Sequence, residues 1–454
     1  MSVASSSDDK RNIDLLITAG WVIPVEPAGV VLKEHAVAVD GGKIVAVLPV
    51  AEADQQFHPR QRVDRPHGVL FPGLVNAHTH NPMTLMRGVA DDLPLMRWLN
   101  EHIWPVEGAV MGPAFIRDGI ELAIAEMLRG GTTCCNENYF FPDVAAATYQ
   151  RHGFRAVVGI PVIDFANPWA ATHDEHFDKG VEVHDQYRGD PMIGFAFAPH
   201  APYTVDDRAF ERIRTLSNQL DIPVHCHVHE TAQEVDEAVA KDGQRPLARL
   251  DRLGLLNERM IAVHMTQLTD AEIALCAVRG VHVVHCPESN LKLASGFCKV
   301  EALREAGVNV ALGTDGCASN NDLDMISEMR TAAQLGKAVA QNAAAVDAAY
   351  ALRMATLNSA KAMGLDERIG SIEVGKQADL ALLRLDDLES QPVYSAISHL
   401  VYASGRHQVS DVWIAGKPRL ANGELQDMDR ADLIARARSW GERIAKLPRG
   451  GKAG

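Results

Sequence analysis

The sequence is poor in several things, and each shortage excludes a class. Basic residues are in the minority, 44 against 59 acidic, for a formal net charge of −15. That field repels phosphate backbones, so nucleic acid is not expected as a partner. Long apolar runs are missing too. Stretches such as Ala156–Ile163 fall far short of the ~20 residues that span a bilayer. No Gly-rich phosphate loop follows the first strand-like run, which argues against a doubly wound dinucleotide fold. The seven cysteines form no CxxC pair, and their odd number fits free buried thiols in a reducing compartment. The first residues, MSVASSSDDKRN, have no apolar core and do not read as a signal peptide. A cytoplasmic protein is expected.

At 454 residues the chain has room for about three average domains, or for one large barrel with an appendage. Apolar residues at 47% and charged residues at 23% are ordinary for a globular chain. Both ends read as short strands: IDLLITAGWVIP and HAVAVDGGKIVAVL near the start, QADLALLRL and VSDVWIAGKPRL near the end. Asp40-Gly41-Gly42 and Ala415-Gly416-Lys417 are turn signals. Between the ends, short apolar runs alternate with helical patterns. The runs cover 68–78, 154–163, 192–200, 222–230, 260–265, 281–287 and 308–315, with a weaker one at 130–138. The helical patterns include Phe115–Arg129, Arg208–Leu220, Ala232–Leu253 and Thr269–Val278, with more from Ser327 to Met363. Eight strands alternating with helices over roughly 250 residues is barrel arithmetic. The division expected is a disordered tail at 1–11, a composite β-sandwich from 12–67 plus 370–425, a (β/α)8 catalytic barrel at 68–369, and a C-terminal helix and tail at 426–454.

Histidine is plentiful, with 19 copies, and its placement is informative. His78 and His80 end the first run, His200 the fourth, His227 and Glu230 the fifth, His264 the sixth, His285 the seventh and Asp315 the eighth. Active sites of such barrels lie at these strand ends. His78 and His80 alternate to one side of a strand and can meet one metal ion. Unrelated core histidines would not choose the same end of a barrel repeatedly. His225 and His229 share strand parity with His227, so spacing alone leaves the ligand open.

PGLVNAHTH at 72–80, HVHE at 227–230, His264 and LGTDGCASNN at 312–321 resemble the amidohydrolase superfamily. GSIEVGKQADLALL at 370–383 and VDGGKIVAV at 39–47 extend the likeness over nearly the whole chain. The branch it is similar to contains methylthioadenosine/S-adenosylhomocysteine deaminases, guanine deaminases and triazine hydrolases. The resemblance implies a (β/α)8 metal-dependent barrel flanked by a β-sandwich. It implies metal ligands at His78, His80, His227 and Asp315, a catalytic Glu230, and His264 orienting water, with Asp315 also acting as base. The fourth run ends in His200 with no lysine, so one metal per subunit is implied, zinc or alternatively iron. Such barrels are often homo-oligomers.

The expected reaction is hydrolytic deamination of 6-aminopurine nucleosides, with 5′-methylthioadenosine, S-adenosylhomocysteine, adenosine and 5′-deoxyadenosine as candidates. A guanine or 8-oxoguanine deaminase and an s-triazine hydrolase are the alternatives on the same metal site. A barrel that binds metal without catalysis is a third, and the presence of Glu230, His264 and Asp315 speaks against it. Glu107 aligns with a ribose-binding glutamate and His200 with a substrate-contacting histidine, and Glu230 and Asp315 also face substrate. Trp98, with Leu95 and Trp104, is expected to cover an apolar group. Asp91-Asp92 reads as a solvated pair, His225 as a barrel-interior histidine, His229 as a loop or lid residue and His282 as structural. His285 reads equally as a neighbour of the site or as an ordinary buried histidine. The segment 164–180 has no arginine and is acidic, which favours 5′-methylthioadenosine over S-adenosylhomocysteine.

Overall fold

The computed structural model describes residues 10–447. The first four strands are β1 (Arg11–Val22), β2 (Leu32–Asp40), β3 (Lys43–Pro49) and β4 (Phe57–Pro72). Eight more follow: β5 (Leu74–Thr79), β6 (Thr132–Glu137), β7 (Arg155–Val162), β8 (Ile193–Pro199), β9 (Val224–Val228), β10 (Met260–His264), β11 (His282–His285) and β12 (Asn309–Leu312). The last four are β13 (Leu380–Arg384), β14 (Val409–Ile414), β15 (Lys417–Ala421) and β16 (Glu424–Leu425). Strands β5 to β12 lie side by side in chain order, all parallel, with helices between them. An isolated parallel bridge between Thr79 and Asp315 joins the last strand's end to the first and closes the ring. The fold is the expected (β/α)8 barrel. The strands from both chain ends form one mixed sheet in the order β16-β15-β14-β13-β4-β1-β2-β3. This sheet is the small β-sandwich unit, with separate apolar clusters such as Leu15, Ile17 and Val37, and Leu16, Ala36 and Ala38. The clusters come from alternate residues of the same strands, as a two-faced sheet requires.

Three expectations need correction. The run 68–78 is not one strand. Val69–Pro72 belong to β4 and pair with β13, whereas Leu74 begins the barrel. Gly73 turns the chain between the two sheets, and a Cβ there would lie 2.2 Å from Thr133 Oγ1, so no larger residue fits. The pattern 232–253 is two helices, Ala232–Asp242 and Pro246–Arg252. Gly243, at φ +67°, ends the first, and Pro246 starts the second. Of the expected tail, residues 1–9 lie outside the described residues, and Arg11 already starts β1. Among the described residues no helix is long and apolar enough to cross a membrane.

One buried ion pair ties the two sheets together. Arg155, at the start of β7, holds Asp379, just before β13. Arg155 Nε lies 2.7 Å from Oδ2 and Nη2 3.1 Å from Oδ1. Both side chains are at most 2% exposed. Arg155 Nη1 also donates to Pro191 O at 2.7 Å, and Asp379 Oδ1 accepts from Ala415 N at 2.8 Å. Because every charge here is matched, the pair is tolerated in the core, but removing one partner strands the other. Asp379→Ala is expected to lower stability by about 3–5 kcal/mol. The shift of the urea-unfolding midpoint checks this, and a change below about 1 kcal/mol would contradict it.

Candidate active site

The barrel's C-terminal end gathers four donors. His78 and His80 leave β5, His227 leaves β9, and Asp315 follows β12. Their ligating atoms all lie within 4.8 Å of one another. His78 Nε2 is 3.2 Å and His80 Nε2 3.1 Å from Asp315 Oδ1. His227 Nε2 is 3.2 Å from His78 Nε2. Donors placed tetrahedrally about 2.0–2.1 Å from one ion sit about 3.3–3.4 Å apart, so the spacing suits a small divalent cation.

The outer contacts of these side chains agree. His80 Nδ1 donates to Asn138 O at 2.5 Å and His227 Nδ1 to His200 O at 2.6 Å. Each donation fixes the tautomer and leaves Nε2 as a bare lone pair aimed inward. His78 Nδ1 lies 2.9 Å from His225 Nε2, so the barrel-interior histidine of the sequence reading orients a ligand. Asp315 Oδ2 accepts from Ser289 Oγ at 2.7 Å and Ser319 Oγ at 2.8 Å. That leaves Oδ1 for the cluster. Three inward lone pairs around one carboxylate, buried together, fit a cation and nothing else so well.

Close packing makes this convergence possible. Asp315 N donates to His78 O at 3.1 Å. At Gly313 a Cβ would lie 2.8 Å from both Cβ and N of His78. Only glycine lets the two strand ends approach so closely.

Glu230 and His264 stand beside the cluster. His264 Nε2 is 3.9 Å from Glu230 Oε2, and His264 Nδ1 accepts from Asn290 Nδ2 at 3.0 Å. The ring therefore carries its proton on Nε2. Burial pushes the Glu230 carboxyl well above the usual carboxylate range, and the charges of Asp315 and Glu234 add to this. Burial likewise pushes His264 down to about 3. Burial thus favours the protonated form of Glu230 and the neutral form of His264. The loop carrying Glu230 is anchored by Glu234, which accepts from His229 N at 3.1 Å and Glu230 N at 2.7 Å.

A cavity of about 270 Å³ opens over these groups. Its walls include Met83, Leu95, Trp98, Leu99, Ile103, Trp104, Phe165 and Leu293, with His200 and Glu107 as polar features. Trp98 is held by Nε1 donating to Ala90 O at 3.1 Å. Trp104 and Phe165 meet edge to face with ring centroids 5.9 Å apart. Glu107 is 6% exposed. Burial pushes its carboxyl up to about 7, and a hydrogen bond from Tyr139 acts against that rise.

The structure thus brings His78, His80, His227, Asp315, Glu230, His264, His200, Glu107 and Trp98 to one place. Of the other readings, that of His282 as structural and that of His229 as a loop residue hold, and that of Asp91 changes. Asp91 is not simply solvated, because its Oδ1 takes Lys292 Nζ at 2.5 Å. His229 is buried, and its Nε2 accepts from Leu247 N at 3.2 Å. His282 accepts from Asn309 Nδ2 at 3.0 Å, away from the cavity. His285 is buried and does not line the cavity. Sequence reasoning missed Asn138, Tyr139, Glu234, Ser289, Asn290 and Ser319. Only Glu234 left a readable signal, the Thr-x-x-Glu pattern at 231–234 that marks a helix start.

Comparison with known proteins agrees with this geometry. The family model described as "Amidohydrolase family" matches residues 69–419. A 5-methylthioadenosine/S-adenosylhomocysteine deaminase from Saccharophagus degradans is 46% identical over 444 residues, covering 98% of this chain and 100% of the relative. The crystal structure of an adenosine deaminase from Xanthomonas campestris, with bound zinc, superposes with a TM-score of 0.96 at 67% identity, covering 96% of this chain and 100% of that one. The atrazine chlorohydrolase of Arthrobacter aurescens, complexed with zinc, shares the fold at a TM-score of 0.87 and 23% identity, over 94% and 99% of the two chains.

Gly313→Ala is expected to push His78 away from Asp315 and to lower bound metal at least about tenfold, the scale seen when the support of a ligand is lost. Metal analysis after dialysis checks this, and full occupancy in a folded variant would contradict it.

Proposed function

Because this chain belongs to the amidohydrolase family, and within it to the methylthioadenosine/S-adenosylhomocysteine deaminases, we propose that it deaminates 6-aminopurine nucleosides with a neutral 5′ substituent, 5′-methylthioadenosine foremost. The carrying observation is the pairing of a cation-type donor cluster and a buried Glu230 beside His264 with an apolar cavity that holds one further carboxylate, Glu107.

His78, His80, His227 and Asp315 would hold a zinc ion, which would lower the pKa of a bound water towards ~7. The remaining work falls to side chains. His264 donates from Nε2 and orients the attacking oxygen. Asp315 accepts the proton that the attacking water loses. Glu230 gives its proton to the ring nitrogen beside the attacked carbon, which makes that carbon electrophilic. The proton gathered from water then passes to the exocyclic amine, the C–N bond breaks, and ammonia leaves. The second proton of the added water returns from the new C–OH group to Glu230 as the carbonyl forms, which restores the acid.

Glu107 favours a sugar-bearing substrate over a triazine, because a lone carboxylate in an apolar wall matches hydroxyl donors. The 5′ group is selected by the other wall. Phe165, Ala166, Asn167 and Pro168 line the cavity, and no lysine or arginine lines it among the described residues. The carboxylate of S-adenosylhomocysteine would enter without a cationic partner, whereas a methylthio group meets Trp104 and Phe165. His200 stands on the sugar side with Nδ1 2.8 Å from Thr204 Oγ1, which leaves Nε2 for the substrate.

Two measurements test the reading. Glu230→Gln is expected to keep its zinc and to lose roughly 10²–10⁴-fold in kcat. A zinc-loaded variant working at the wild-type rate would overturn the mechanism. For the wild-type enzyme, kcat/KM by ammonia release is expected to be at least about tenfold higher for 5′-methylthioadenosine than for S-adenosylhomocysteine, the worth of one unpaired charged group. Equal or reversed values would overturn the assignment of the 5′ pocket.

A further inference from the structure

Glu107 has a partner that no part of the proposed chemistry uses. Tyr139 Oη donates to Glu107 Oε1. Both residues are 6% exposed, and both line the cavity. Oε2 of Glu107 makes no hydrogen bond with any described residue and is left for a ligand. The two groups come from different parts of the chain. Glu107 sits on the short helix Trp104–Val110, in the long segment after β5, and Tyr139 lies two residues beyond β6. No other described side chain bonds the Glu107 carboxylate. A glutamate has three rotatable bonds and cannot stay in one place unaided. Tyr139 is itself well fixed. Asn138, its neighbour, takes the Nδ1 proton of His80 on its carbonyl. The Tyr139 ring packs against Phe140 with centroids 5.6 Å apart. Burial and the nearby Glu107 push the phenol well above 10, so it remains a donor.

We propose that Tyr139 is a positioning residue: its hydroxyl pins one oxygen of Glu107 so that the other is presented to the vicinal hydroxyls of the substrate's ribose. Its place next to Asn138 sets the sugar-binding oxygen in a constant relation to the metal ligand His80. The segment just past β6 thus supports the metal ligand His80 through Asn138 and the sugar-binding Glu107 through Tyr139. Tyr139 acts on binding through Glu107 and takes no part in proton transfer. The idea rests on the nucleoside reading above.

The test is a double-mutant cycle with two compounds. Wild type, Tyr139→Phe, Glu107→Gln and the double variant are assayed on 5′-methylthioadenosine and on 2′,3′-dideoxyadenosine, which lacks both hydroxyls. Tyr139→Phe is expected to raise KM for 5′-methylthioadenosine about tenfold, with kcat held within about twofold, the worth of one hydrogen bond to a charged group. On the dideoxy compound its KM should equal that of wild type. In the Glu107→Gln background the Tyr139→Phe change should add nothing to KM, since a residue acting through another shows full coupling. Equal KM increases on both compounds, or increases that multiply in the double variant, would overturn the positioning role. Wild type releasing ammonia from neither compound would overturn the nucleoside reading itself. Zinc content and melting temperature report that Tyr139→Phe is folded. If it is not, Glu107→Gln still overturns the proposal where its KM defect persists on the dideoxy compound, because the pinned carboxylate then has no ribose hydroxyl to meet.

Discussion

The hydrogen bond from Asp315 N to the carbonyl of His78, at 3.1 Å, joins the end of the eighth barrel strand to the first. The ring closes there, and the same contact sets an aspartate next to two histidines more than two hundred positions away in sequence. Gly313 is what permits it, because any side chain at that position would occupy the volume of His78. Closure and metal site are therefore one constraint. A barrel that shut less tightly would keep all four donors but not their spacing.

Around that contact the polar groups are arranged so that no inward donor is free to turn. Backbone carbonyls of Asn138 and His200 take the outer protons of His80 and His227, and two serines take the outer oxygen of Asp315. Hydrogen-bonded supports of this kind orient ligands and fix their protonation. The arrangement has a conformational cost. His264, Met265 and Asp315 all adopt positive φ, at +75°, +49° and +62°. Residues other than glycine are held there at about 1–3 kcal/mol each, and the buried network around them supplies the compensation.

The cavity gives local meaning to a global property. A net charge of −15 says little about a site. At this site the lining includes no lysine or arginine among the described residues, while Glu107, Glu230 and Asp315 all line it. Electrostatics then favour a neutral ligand whose polar groups donate hydrogen bonds, and the aromatic pair Trp104 and Phe165 favours an apolar tail. The reacting atoms and the specificity contacts are built on different elements. The ligands stand on strand ends, and the pocket wall is formed by the segments after β5 and β7.

The alternation of apolar runs with helical patterns, and the return of His, Glu and Asp at the runs' ends, were enough to specify a barrel and the kinds of donor at its mouth, whereas the choice of His227 over His225 and His229 came from the family resemblance. Periodicity is a local property, and a strand end is legible wherever a short apolar run stops at a polar residue. Distances between strand ends are not local. That the run 68–78 is divided between two sheets at Gly73, that His225 supports His78 rather than merely filling the barrel, that Asp91 meets Lys292, and that Tyr139 holds Glu107 all depend on how separate segments pack. Each of these contacts joins residues far apart in the chain through hydrogen bonds a few ångströms long, and nothing in the spacing of either segment encodes its partner. Sequence alone determined the kinds of groups at the site and the chemistry they can perform. Tertiary structure decided which nitrogen faces inward, which carboxyl burial shifts upward and which oxygen of Glu107 has no partner among the described residues, because those follow from burial and from neighbours that only folding brings together.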